Sequence, residues 1–164
     1  MKKLYNFLFV LVITTLLASG CKKEGPQGPP GNANIIHHTF SISSWSNNGY
    51  NWYSNLNVSE LNSSNINTAS VQVYFSVSNG TWVAVPYTEV TSPSNYFMNF
   101  LSSAGTVEIT WTYNGVGLGS DPNAYYSATV QAKVVVIPPS ARMKHPNVDL
   151  NNYEEVKKAF GIID

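Results

Sequence analysis

Aromatic rings beside amide side chains are the residues of this sequence whose chemistry stands out. The 164 residues include four tryptophans and ten tyrosines, and aromatic residues make up 13% of the chain. Flat rings can stack on the apolar faces of sugars while amides bond to hydroxyls, but the same rings also fill protein cores. Strand alternation assigns Trp52 to the core. It places Tyr53, Tyr74 and Tyr125 on the strand faces that point away from the core. These three tyrosines are the candidate ligand surface.

The sequence contains no recognisable metal-binding or catalytic pattern. His37 and His38 are adjacent on a predicted strand, so their side chains point to opposite faces, and His145 lies far along the chain. The alternating glycines from Gly115 to Gly119 precede a predicted strand, whereas a phosphate-binding loop opens a helix. No GxSxG motif is present. We therefore expect no metal, no cofactor and no catalytic residue.

The first twenty residues predict a secretory signal peptide. Lys2 and Lys3 precede an apolar run over residues 7–17, and small residues follow at 18–20. A positive start, a short apolar run and a small-residue cleavage site are typical of a signal peptide. The run is shorter than the roughly 20 apolar residues that a spanning helix needs.

Cys21, the only cysteine, directly follows these small residues. The string Leu17-Ala18-Ser19-Gly20-Cys21 resembles the lipobox of bacterial lipoproteins, in which the cysteine is lipidated after cleavage. The resemblance implies that Cys21 carries acyl chains that anchor the protein to a membrane. Because Lys22 is not the aspartate that retains some lipoproteins in the inner membrane, we expect the outer membrane, with the side undetermined.

The charge distribution excludes some classes of partner. Nine Lys and Arg balance nine Asp and Glu, and charged residues are 11% of the chain, against roughly 25% in typical domains. No Lys or Arg lies between Gly25 and Ala132. We therefore expect no nucleic-acid partner and no phosphate-rich ligand on this part of the protein.

A short collagen-like tether follows the cysteine over residues 21–33. Glycine recurs at Gly25, Gly28 and Gly31 with proline in between. So short a run gives few interchain hydrogen bonds against the entropy of aligning three chains. We expect an extended spacer on a monomeric protein.

Residues 34–140 predict an all-β domain, an antiparallel β-sandwich of about seven strands. Short segments alternate apolar and polar residues and are separated by Gly and Asn turns, such as the hairpin turn Asn79-Gly80. The longest predicted strand is 125–137. The expected inward-facing residues of a central strand are Val71, Val73, Phe75 and Val77. They would face Val130, Ala132, Val134 and Val136, which lie either across the core or in a strand beside them.

Residues 141–164 predict a tail with a short helix. Asn151 with Glu154 three positions later fits a capping box, and Gly161 fits a helix stop. Tyr153, Val156 and Phe160 would share one face of this helix.

The lipobox, the collagen-like run, the β domain and the closing segment together resemble uncharacterised lipoproteins of Bacteroidetes-type bacteria. This resemblance implies anchoring and carries no ligand or catalytic residue with it. The expected function is that of a lipid-anchored cell-envelope β-sandwich, a non-enzymatic structural or interaction module. The alternatives are a glycan-binding or adhesive surface module and, less favoured, a hydrolase of envelope polymers.

Overall fold

The computed structural model of the chain describes residues 35–77 and 80–163. The predicted signal peptide, the lipidation site Cys21, the tether and the Asn79 position of the predicted turn lie outside the described residues. The compact unit that contains the described part runs from Asn32 to Asp164. None of the helices among the described residues is long and apolar enough to cross a membrane.

The described residues of this unit form nine strands and three short helices. The strands are β1 (Ile36–Ile42), β2 (Ser46–Asn47), β3 (Trp52–Val58), β4 (Ser70–Ser76), β5 (Val83–Val85), β6 (Tyr87–Val90), β7 (Asn95–Ser103), β8 (Gly105–Tyr113) and β9 (Val130–Ile137). The helices are α1 (Pro122–Tyr126), α2 (Pro139–Lys144) and α3 (Tyr153–Phe160).

The strands form two sheets in which all pairs are antiparallel. Sheet I has the order β1-β9-β4-β5, and sheet II has the order β2-β3-β8-β7-β6. The predicted all-β antiparallel sandwich is confirmed, with nine strands in place of about seven. The two additional strands include β2, which has only two residues.

The inward faces of the two sheets share one apolar core. Of the two predicted arrangements of the runs that form β4 and β9, the structure shows the neighbouring one: β4 pairs with β9, with Val73 opposite Val134 and Phe75 opposite Ala132. Both strands are central in sheet I. The buried core includes Val73, Phe75, Val130, Ala132, Val134 and Val136 from sheet I, and Leu56, Met98, Val107, Ile109 and Trp111 from sheet II.

The predicted strand 125–137 is shorter than expected, because β9 begins only at Val130. Residues 122–126 form helix α1 instead. The Asp121 side chain accepts a hydrogen bond from the amide of Ala124 at 3.1 Å, and Pro122 occupies the first helical turn. An Asp cap followed by proline starts a helix, and this local signal overrides the alternating pattern.

Helix α3 covers the outer face of sheet I and makes a third layer. Tyr153, Val156 and Phe160 are buried, as predicted, and they pack in a second apolar cluster with the sheet residues Tyr74 and Val135. The predicted tail is therefore part of the packed unit. The central strands β4 and β9 of sheet I are therefore buried on both faces around Tyr74 and Val135, whereas the outward residues of the edge strand β1 stay exposed.

The helix stop at Gly161 is confirmed by its left-handed backbone conformation, with φ of 64°. The cap prediction is wrong by one residue. Asn152, not Asn151, accepts hydrogen bonds from the amides of Glu154 and Glu155, at 3.1 and 3.3 Å.

The unit has two distinct ends. We call the segments 43–51, 91–94 and 114–121 the loop end, because they meet where β3, β7 and α1 begin. The Asn123 amide donates to the carbonyl of Ile42 at 2.7 Å, which brings the end of β1 to this end. Ile36, where β1 begins, lies at the opposite end with the turn between β7 and β8.

Candidate functional site

The three predicted ligand-surface tyrosines lie on three separate surfaces. Tyr53 is a partly buried residue on the outer face of sheet II, opposite Thr110. Tyr125 is partly buried on helix α1 at the loop end. Tyr74 is on the outer face of sheet I. The structure does not bring these residues together into one platform.

Tyr74 is fully buried, so its predicted place on an exposed surface is wrong. Helix α3 covers it, with the ring of Tyr153 at 5.1 Å. The Tyr74 hydroxyl donates to the carbonyl oxygen of Leu150 at 2.6 Å. Burial raises the pKa of Tyr74 above its ordinary value, and the nearby Asp149 carboxylate adds to the effect. This tyrosine holds the helix layer on the sheet.

Tyr125 belongs to a tightly packed aromatic cluster beneath the loop end. Tyr96 stacks on Trp111 with ring centroids 4.8 Å apart and an angle of 12°. The ring of Tyr125 lies 4.7 Å from Tyr96, and that of Tyr126 lies 5.8 Å from Trp111. Most of these ring surfaces face one another, so they stabilise the fold rather than offer a flat platform.

The glycine loop 114–121 closes over this cluster through two indole groups. The Trp52 indole N–H donates to the carbonyl of Gly119 at 3.3 Å, and that of Trp111 donates to the carbonyl of Ser120 at 3.2 Å. Trp52 itself is partly buried and packs against the core, in line with its predicted core role. The loop is therefore fixed to the core by its backbone.

Glu89 is a second polar centre of the cluster. One oxygen of its carboxylate accepts hydrogen bonds from the hydroxyls of Tyr87 and Tyr126, at 2.9 and 3.1 Å. Burial raises the pKa of Tyr126, and the Glu89 charge raises it further. The carboxylate thus ties strand β6 to helix α1.

The histidines make no site among the described residues. His37 and His38 alternate in exposure along β1, as predicted, and His38 pairs with the exposed Glu60 at 3.1 Å. The pKa of Glu60 is lowered, first by a backbone hydrogen bond and then by His38. In residues 35–77 and 80–163, no three His, Cys, Asp or Glu side chains lie close enough to hold a metal ion together.

A cavity of about 490 Å³ lies between residues 80–82, which precede β5, and the beginning of helix α3. One wall is Thr81 and Trp82, and the other is Asn151, Asn152 and Glu154, with Tyr153 at the base. This combination of an indole, two amides and a carboxylate makes the cavity a candidate ligand site.

A buried lysine fixes the aromatic wall of this cavity. Lys133 is only 2% exposed, and its Nζ lies 4.4 Å from the ring centre of Trp82 and 4.6 Å from that of Tyr153. It also donates to the Tyr153 hydroxyl at 2.7 Å. Such cation–π contacts stabilise a buried ammonium group and hold both rings in place.

Sequence reasoning missed this cavity because its walls are about 70 positions apart in the chain. Thr81 and Trp82 follow the turn after β4, whereas Asn151 and Glu154 begin α3. One available signal was Lys133, a single charge inside the apolar strand β9. A buried charge needs partner groups, so this lysine indicated that another segment packs against the strand.

Comparison of the chain with known protein families, with curated proteins and with solved structures finds no match. The geometry of the described residues is therefore the basis for assigning a function.

Proposed function

We propose that this chain is a lipid-anchored, non-enzymatic interaction module of the bacterial cell envelope, attached to the outer membrane through Cys21. The structural observation behind the proposal is that strand β1 runs from one end of the unit to the other. Strand β1 begins at Ile36 and runs to the loop end, where the Ile42 carbonyl accepts from Asn123. Seven extended residues span about 23 Å, so a tether that enters before Ile36 would present the loop end away from the membrane.

The surface at the loop end supports a role in binding. Tyr50 and Val90 are 84% and 76% exposed, and Val116 is fully exposed in the glycine loop. Large apolar side chains of this kind mark a surface that contacts a partner when they lie next to one another. The nearby amide-rich segments carry no Lys or Arg, which favours uncharged partners.

The anchor is tested with Cys21→Ser in the full-length chain. We expect the unchanged protein to incorporate labelled palmitate and to sediment with outer membranes, and the variant to lose both properties. Sedimentation of both proteins with membranes, without palmitate in either, would contradict the proposal.

The orientation is tested by energy transfer from a labelled cysteine to acceptors among the lipid headgroups of a vesicle. Val116→Cys places the label at the loop end, and Ala104→Cys places it at the opposite end. Both positions are exposed. Lipidated Cys21 has no free thiol, so it does not compete for the label. We expect weaker transfer from position 116, and stronger transfer there would mean that the loop end faces the membrane.

A further inference from the structure

We propose that the cavity between residues 80–82 and the beginning of helix α3 binds a neutral saccharide. The recognising groups are the Trp82 indole, the Asn151 amide and the Glu154 carboxylate. The inference rests on the proposed function for its setting, the outside of a lipid-anchored module. It assigns the ligand to a place other than the predicted tyrosine surface.

Trp82 differs from the other three tryptophans in its hydrogen bonding. The indole N–H groups of Trp45, Trp52 and Trp111 donate to Asn123, Gly119 and Ser120, respectively. The indole N–H of Trp82 donates to no residue within 35–77 and 80–163, and Trp82 borders the cavity. An indole N–H next to an apolar ring suits a sugar, because a hydroxyl can accept the bond while the sugar ring covers the indole.

The ring of Trp82 is preorganised for such a contact. Lys133 lies over the ring at 4.4 Å, and the ring of Tyr153 packs against it at 5.7 Å. A side chain that is already fixed loses little conformational entropy when a ligand binds. The cavity wall is therefore a rigid platform.

The exposed charge at the rim of the cavity is negative. Glu154 lies at the rim, whereas the Lys133 ammonium is buried against the two aromatic rings of the cavity wall. The amides of Glu154 and Glu155 are not available to an anion, because the Asn152 side chain already accepts hydrogen bonds from both. A phosphate or carboxylate would therefore meet the Glu154 charge without help from these two amides, which favours an uncharged ligand.

Hydroxyl groups would find both donors and acceptors in the cavity. The side chains of Asn151 and Glu154 make no hydrogen bond to any residue in the described ranges, and both residues border the cavity. The Asn151 amide can donate and accept, and the Glu154 carboxylate can accept from two neighbouring hydroxyls. An indole, an amide and a carboxylate around one space thus match a polyhydroxylated ring.

The size and position of the cavity fit a ligand that reaches it from outside. Its volume of about 490 Å³ lies in the range of small-molecule sites and exceeds the need of one sugar ring. Trp82 precedes Val83, which lies opposite Phe75 near the end of β4. The end of β4 lies beside the start of β9, and the start of β9 lies beside the end of β1. The Trp82 side of the cavity is therefore at the same end of sheet I as the loop end.

The test is a titration of the full-length chain, isotope-labelled and purified in detergent, observed through its four indole N–H resonances. The probes are the neutral disaccharides maltose, cellobiose, chitobiose and mannobiose, with sialyllactose as an anionic probe. We expect at least one neutral disaccharide to shift the Trp82 resonance, assigned with Trp82→Phe, and to leave the other three in place. This readout does not depend on a destabilised variant.

Two variants then test the polar groups. Asn151→Ala and Glu154→Gln alter exposed side chains that make no described hydrogen bond, and each should weaken saccharide binding about three- to tenfold. Asn147→Ala is the matched control, because Asn147 is exposed on the same segment but outside the cavity, and it should leave the affinity unchanged.

The proposal is overturned if no neutral probe shifts the Trp82 resonance at millimolar concentration, or if only sialyllactose does. It is also overturned if a probe shifts the resonances of Trp45, Trp52 or Trp111, and if Asn151→Ala leaves the affinity of the protein for that probe unchanged. The titration is independent of lipidation. If the Trp82 resonance shifts and Cys21 is not lipidated, the proposed saccharide site stands and the proposed lipid anchor is refuted.

Discussion

Tyr74 and Tyr126 have raised pKa values, and their hydroxyls donate hydrogen bonds to the Leu150 carbonyl and the Glu89 carboxylate, respectively. Burial is the main cause that raises the pKa of each, and the carboxylates of Asp149 and Glu89 add to it. In the folded protein, both phenols therefore keep their protons at a pH at which the unfolded chain, with an ordinary tyrosine pKa of about 10, releases them. The stability that depends on these protons is complete below pH ~10 and decreases as the pH rises further.

Tyr74→Phe tests this dependence. At neutral pH, the variant should lose about 1 kcal/mol of unfolding free energy, because the bond to the Leu150 carbonyl disappears. Above pH ~10, its stability should decline less steeply than that of the unchanged chain. Urea unfolding across this pH range measures both effects. Tyr50→Phe, at an exposed position, should change neither, and identical slopes for the Tyr74 variant and the parent would refute the assignment.

The loop 114–121 is the element in which glycine is required for two separate reasons. Gly117 and Gly119 both have positive φ, 81° and 68°. A Cβ at Gly117 would meet open space, whereas a Cβ at Gly119 would come within 2.9 Å of the Tyr113 side chain and 3.0 Å of Tyr96. The first position needs glycine for backbone strain alone, and the second needs it for strain and for space.

Gly117→Ala and Gly119→Ala separate these two costs. We expect the first to lower the unfolding free energy by about 1–2 kcal/mol, and the second by about 1–3 kcal/mol more. Only Gly119→Ala should change the tryptophan fluorescence, since Trp52 and Trp111 bond to the carbonyls of this loop. Equal losses in urea unfolding would show that the loop is not held against the rings.

Helix α3 offers a test of where its cap lies. Asn152→Ala should lower the unfolding free energy by about 1 kcal/mol, because two helix amides lose their acceptor. Asn151→Ala, one residue earlier, should be nearly neutral. Thermal unfolding of the two variants ranks them directly, and a larger loss at Asn151 would restore the cap that the sequence predicted.

For the molecule as a whole, the decisive feature is that the central strands of sheet I, β4 and β9, are covered on both faces. Phe75 faces the core between the sheets, and Tyr74 faces the helix layer, and both are buried. Phe75→Ala and Tyr74→Ala should therefore each cost about 3–5 kcal/mol in urea unfolding. Tyr53→Ala, on the outer face of sheet II, should cost clearly less. A loss for Tyr74→Ala as small as that for Tyr53→Ala would mean that α3 does not cover the sheet.

The alternation of apolar and polar residues was enough to predict the sandwich and the inward residues of β4 and β9. Period-two patterning reports directly which side chains face a core. The pairing of Val73 with Val134 came only from the structure, since two alternation patterns do not fix a register between them. The stop at Gly161 and the buried face of α3 were likewise predictable, because capping and helix periodicity are local.

The tertiary structure alone decided what lies on the outer face of sheet I. Tyr74 alternates like a solvent-facing residue, but in the structure it packs in one apolar cluster with Val135 and Ile137 under helix α3. Which segment would cover this face could not be read locally, because α3 comes nearly 80 residues later. The cavity beside Trp82 exists only through that packing, since its two walls meet when the helix docks on the sheet.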